Sequence, residues 1–180
     1  MSRLFGILVA LVLLSLPASA DESPLQDPLL DHLVGTWVLQ GSIAGKETTH
    51  DVAAEWVLGH QYVRLHEVSR ERRADGQAEY EAIVFVGQDP SKRGYACLWL
   101  DSTGGGGLSG TAIGHGRRSA DEIAFLFKGS DGSTFHTTFA YGKDTDSWRW
   151  IMDGEDHGKL QPFARMSLTR VRTLDAPKGG

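Results

Sequence analysis

From Gly35 onward the chain is a succession of short runs in which apolar and polar residues alternate, broken at intervals by turn dipeptides. A period of two is the spacing of side chains on a pleated strand, so each run is committed to a sheet with one buried face. The runs fall at about 36–43, 49–58, 61–72, 79–88, 94–101, 107–114, 122–128, 133–142, 147–153 and 162–171. Asp75-Gly76, Asp131-Gly132 and Asp153-Gly154 are the dipeptides of tight hairpins, where glycine takes positive φ without steric cost. Asp89-Pro90 opens a further turn that Gly94 closes. Consecutive hairpins make an antiparallel meander. Roughly ten strands are too many for a flat open sheet, and closure removes both exposed edges. The expected fold is therefore all-β, a roughly ten-stranded antiparallel up-and-down barrel. A two-sheet sandwich is the alternative, although sandwiches usually need longer Greek-key crossovers.

One short helix precedes the meander. Asp27 suits its N-cap, Pro28 its first position and Gly35 its stop, while Leu29, Leu30 and Leu33 share one face. Further upstream, Arg3 is followed by the uncharged apolar run Leu4–Leu16 and then Ala18-Ser19-Ala20. This is the pattern of a cleaved signal peptide over residues 1–20. The run has 13 residues, short of the roughly 20 that span a bilayer, so the mature chain is expected to carry no transmembrane segment. Export implies a periplasmic or secreted location. The barrel domain is expected over 21–172, and the polar, Gly/Pro-containing residues 173–180 form a tail.

Removing Arg3 from the 18 basic residues leaves 17 against 23 acidic ones, a formal charge of −6. A mildly acidic chain without a basic stripe argues against nucleic acid as a partner. Cys97 is the single cysteine, so no internal disulfide forms, and its apolar setting (YACLWL) suits a buried, inert thiol.

Several residues together resemble known families. Gly35-Thr36-Trp37, directly after a short helix, resembles the Gly-x-Trp opening of lipocalins and other calycin barrels. In that group the Trp closes one end of the barrel against an Arg of the last strand. The resemblance thus gives Trp37 and Arg170, or alternatively Arg165, a structural closing role. A longer stretch resembles the bacterial domain-of-unknown-function family numbered 1579, whose members are often exported. It rests on Val86-Gly87-Gln88-Asp89-Pro90, on Tyr95, Trp99, Asp101, Ser102 and Gly104, and on Asp153-Gly154-Glu155 before a last strand ending in Arg. That resemblance implies a calycin-like barrel and no established chemistry. Nitrobindin-type haem barrels share the Gly-x-Trp opening and hold iron through a His near the last strand. Residues 161–171 contain no His, so the chain departs from the haem pattern and no cofactor is expected.

Other chemistries find little support. The seven histidines are scattered, with no three or four ligands at zinc spacing. Asp153, Glu155, Asp156 and His157 make an acidic turn too short for a calcium loop. The run Gly104–Gly107 lacks the Lys-Ser/Thr and helix of a phosphate loop, and reads as a hairpin tip expected at the barrel mouth. No Gly-x-Ser-x-Gly elbow occurs, and no catalytic residue is assigned.

The strand faces carry more information. Arg64 and His66 share a face, as do Phe135, Thr137, Phe139 and Tyr141; a third set is Trp148, Trp150 and Met152. A barrel of this strand number leaves lumen to spare. Arg64, His66, Trp99, Tyr141, Trp150 and Arg165 are the expected ligand-binding residues, suited to a small apolar, amphipathic or anionic molecule. Parity alone does not say which face is inside. Three functions stay open: a binding or carrier barrel, an enzyme using the lumen with His66 or Glu67 as acid or base, and an interaction module with a packed lumen.

Overall fold

The computed structural model describes residues 26–104 and 107–172. The expected signal segment 1–20 and the tail 173–180 lie outside the described residues. Helix α1 spans Pro28–Leu33 and is followed by β1 Gly35–Ile43, β2 Lys46–Val57, β3 Tyr62–Ser69, β4 Glu81–Asp89 and β5 Gly94–Asp101. A single 3-10 turn, Gly110–Ala112, leads into β6 Ile113–Ser119, then β7 Glu122–Lys128, β8 Thr134–Gly142, β9 Ser147–Asp156 and β10 Lys159–Arg170. Every strand pairs antiparallel with its sequence neighbours, and β1 pairs with β10 to close the barrel. Among the described residues no helix is long and apolar enough to cross a membrane.

Alternation produces the inner wall directly. Val63 and Leu65 of β3, Val84 and Val86 of β4, and Met166 and Leu168 of β10 are buried, while their odd-man neighbours face outward. Cys97 lies fully buried in β5, and burial pushes its thiol well above the ordinary range.

Helix α1 plugs one end of the barrel. Asp27 caps it by accepting from the Leu29 N–H at 2.9 Å, and Leu29, Leu30 and Leu33 are buried beneath it. Burying such side chains is worth about 1.5–3 kcal/mol each. Three indole N–H groups hold the helix from below. Trp37 donates to the Leu33 carbonyl at 2.8 Å, Trp148 to the His32 carbonyl at 3.3 Å and Trp56 to Asp31 at 2.9 Å. Arg170 lies over the Trp37 ring with its guanidinium carbon 4.0 Å from the ring centroid. The same guanidinium donates to the carbonyls of Val34 and His32, both at 2.8 Å, and to Asp146 at 2.6 Å. The helix ends with Val34 as its C-cap, directly before Gly35, where backbone conformation and the Arg170 contact both favour glycine. The φ of Gly35 is +143°, and a Cβ there would sit 2.3 Å from Arg170 Nη1.

Two segments differ from the sequence expectation. The sixth strand is Ile113–Ser119 rather than 107–114, because the chain first makes the 3-10 turn at Gly110–Ala112. Its sequence (IGHGRRS) has no apolar alternation. Gly114 instead leaves room for the Phe127 ring, which a Cβ would meet at 2.6 Å. Asp153-Gly154 also lies inside β9, paired with Pro162 and Gln161 of β10, and not at the hairpin turn. The turn comes later, at His157 and Gly158, both with positive φ.

Candidate functional site

The end opposite α1 is open. The β1–β2 turn, residues 70–80, the β5–β6 connection and the β7–β8 turn surround a cavity of about 830 Å³ that runs down into the lumen. Specific small-molecule pockets typically measure about 300–1,000 Å³. Thr103, Thr111 and Ala112, which flank the glycine run Gly104–Gly107, line this mouth.

Most of the cavity wall is apolar or aromatic: Leu39, Trp99, Phe127, Phe135, Trp150, Met152, Phe163 and Met166. Trp99 and Trp150 meet edge to face at 6.0 Å, and Trp150 stacks on Phe139 at 4.7 Å. Trp99 Nε1 donates to the Tyr80 hydroxyl at 3.0 Å. Burial, and then the charge of Glu67, raise the Tyr80 phenol far above its usual range, so it stays protonated. The indole N–H of Trp150 is different. It is buried in the cavity wall and has no hydrogen-bond partner in the protein.

Against this wall stands one polar cluster. His50 and Glu67 are each only 2% exposed, and His50 Nδ1 lies 2.5 Å from Glu67 Oε1. Contacts continue in series from His50 Nε2 to Thr48 Oγ1 at 2.9 Å, and from Thr48 Oγ1 to Glu71 Oε2 at 2.9 Å. The hydrogen bond from Ser69 above all, aided by Thr48 and the Thr49 N–H against the opposing effect of burial, holds the Glu71 carboxyl down at about 2. His50 and Glu67 form the buried end of this series. The other carboxylate oxygen of that pair, Glu67 Oε2, is buried and has no hydrogen-bond partner in the protein.

Glu71 gives a pH dependence with a defined sign. Its folded value of about 2 lies below the ordinary 4.5, so its contribution to stability is complete above about pH 4.5 and is lost as pH falls toward 2. Urea midpoints measured down this range should decline for the native chain. Glu71→Gln should start lower at neutral pH and converge on the native chain as the pH approaches 2.

Of the residues expected to bind ligand, Trp99 and Trp150 line the cavity. Tyr141 faces inward but sits at the plugged end, stacked on His32 at 4.4 Å and bonded to Asp146 at 3.1 Å. Arg64, His66 and Arg165 lie on the outer face. Arg64 pairs with Glu55, His66 with Glu81 at 2.7 Å and Arg165 with Asp153 at 2.5 Å. Val63 and Leu65, and Met166 and Leu168, occupy the inward positions of the same strands, so the basic side chains that alternate with them lie on the outer face. Trp37 and Arg170 form the closing contact at the plugged end.

The residues missed were His50, Thr48 and Tyr80, while Glu67 entered only as a candidate acid or base and not as a ligand-binding residue. A usable signal did exist. His50 has the parity of Val52 and Ala54, and Glu67 that of Val63 and Leu65, so each places a polar group on an otherwise apolar inner face. Tyr80 lies outside any strand and carries no periodic signal.

Both ring nitrogens of His50, the histidine among the lining residues, are already engaged by Glu67 and Thr48, which leaves no lone pair for haem iron. Among the described residues no group of three or more His, Cys, Asp or Glu side chains is arranged to hold a metal ion. No family model matches the chain, and no curated protein matches its sequence significantly.

Proposed function

We propose that this chain is an exported binding or carrier barrel that takes a small amphipathic molecule into its lumen. The observation that carries this reading is the open cavity of about 830 Å³, whose aromatic wall holds two buried polar atoms without protein partners, Glu67 Oε2 and Trp150 Nε1. A lumen serving only as a core would be filled by side chains, since interiors are close-packed and buried polar atoms are nearly always bonded. A few oriented polar groups in an apolar pocket are instead what fixes a ligand. The anionic ligand suggested by Arg64, His66 and Arg165 loses its support, because those side chains are outside.

The test is uptake of phenylnaphthylamine, an uncharged dye that fluoresces in apolar surroundings. The expected result is saturable binding at one dye per chain with blue-shifted emission. Weak, unsaturable binding like that of an unrelated protein would overturn the reading.

A further inference from the structure

The two unpartnered atoms also restrict what the ligand's polar part can be, an inference that rests on the binding reading above. We propose that the lumen selects an uncharged amphiphile, bearing hydroxyl or amide groups, that donates to Glu67 Oε2 and accepts from Trp150 Nε1, over an anion or an organic cation with the same tail.

A carboxylate oxygen such as Glu67 Oε2 accepts, and Oε1 alone makes the His50 contact. Trp150 Nε1–H can only donate. Both side chains are almost wholly buried, at 2% and 1% exposure. They stand on β3 and β9, with β2, β1 and β10 between them around the barrel, so they belong to different walls. A ligand that satisfies both must present a donor to one wall and an acceptor to the other. Hydroxyl and amide groups supply both.

A carboxylate or phosphate offers no donor to Glu67. It would also pass a mouth bearing Asp101 and Asp131, while the lining cation Lys46 is already held by Glu79 at 2.6 Å. No arginine is among the lining residues. An ammonium group would donate to Glu67 but leave Trp150 Nε1 unmatched. It would also carry its charge into an apolar wall, and desolvating a charge is costly. The uncharged head group alone meets every constraint of the wall.

The experiment compares octanamide, octanol, octanoate and octylammonium at neutral pH by calorimetry, with phenylnaphthylamine as a control for access to the lumen. Octanamide and octanol should bind at least about tenfold more tightly than either ion, the factor that separates a satisfied from an unsatisfied buried contact. Trp150→Phe keeps a ring but removes the N–H. It should weaken octanamide and octanol by about three- to tenfold, while octylammonium, which has no acceptor for that N–H, loses no such contact. Equal affinities across the four compounds, or a preference for either ion, would overturn the head-group assignment while lumen binding stands. Failure of all four together with the dye would overturn the binding reading beneath it.

Discussion

His50→Leu is expected to destabilise the barrel by about 3–5 kcal/mol, because it leaves the Glu67 carboxyl buried without its partner. Glu67 is almost wholly buried, and its Oε1 has His50 as its close polar contact. Without the imidazole the carboxylate must either stay charged in an apolar wall or take up a proton. Glu67→Leu should cost less, since an imidazole can be buried neutral and His50 keeps its contact with Thr48. The double variant His50→Leu/Glu67→Leu should fall within about 1 kcal/mol of the native chain, as buried ion pairs replaced by apolar side chains often do. Urea unfolding of the four proteins gives the full cycle. A double variant as unstable as the sum of the singles would mean that the pair contributes net stability instead of sitting in the lumen at a cost.

Arg170→Ala should lower stability by about 3 kcal/mol, a drop of about 10 °C in Tm for a domain of this size. This guanidinium covers Trp37, donates to two carbonyls at the end of α1 and pairs with Asp146 of the β8–β9 turn. Its removal uncovers the Trp37 ring and leaves those carbonyls short of a donor, so helix and barrel end should loosen together. The charge is not the whole of it. Arg170→Lys should recover little, because an ammonium can neither fork between the carbonyls and Asp146 nor lie flat on an indole. A lysine variant as stable as the native chain would reduce the contact to simple charge pairing. In either variant the lumen at the opposite end should still accept dye, which separates closure from binding.

The scaffold was largely legible in the sequence because its signals are local. Asp27-Pro28 at a helix start, alternation in nine of the runs, and glycine turns at Gly76 and Gly132 each act within a few residues. Where the physics is not local, the reading slipped. The β6 segment is held by its neighbours and by the Phe127 ring lying against Gly114, so its own residues show no strand pattern. Asp153-Gly154 looks like a turn, but Arg165 from the next strand engages Asp153 and the ladder runs on past it.

The site was harder to read for a related reason. On β3 and β10 the polar side chains Arg64, His66 and Arg165 appeared to be the useful ones, yet Val63, Leu65, Met166 and Leu168 settle which face is inside. The polar groups that do reach the lumen, His50 and Glu67, are tolerable there only because they meet each other from different strands. That pairing depends on register: Val52 stands opposite Glu67, and His50 opposite Ser69. Nothing within a single run announces it.

The central claim is that the lumen, and no outer surface, is where a ligand goes. The most direct test is to titrate phenylnaphthylamine into the native chain and into Ala112→Phe/Thr137→Phe, two wall positions where larger rings would fill the cavity. The account predicts saturable uptake by the native chain and loss of uptake by the filled variant, with unchanged circular dichroism and a Tm no lower than native. Equal uptake by both proteins would place the dye elsewhere and contradict the account.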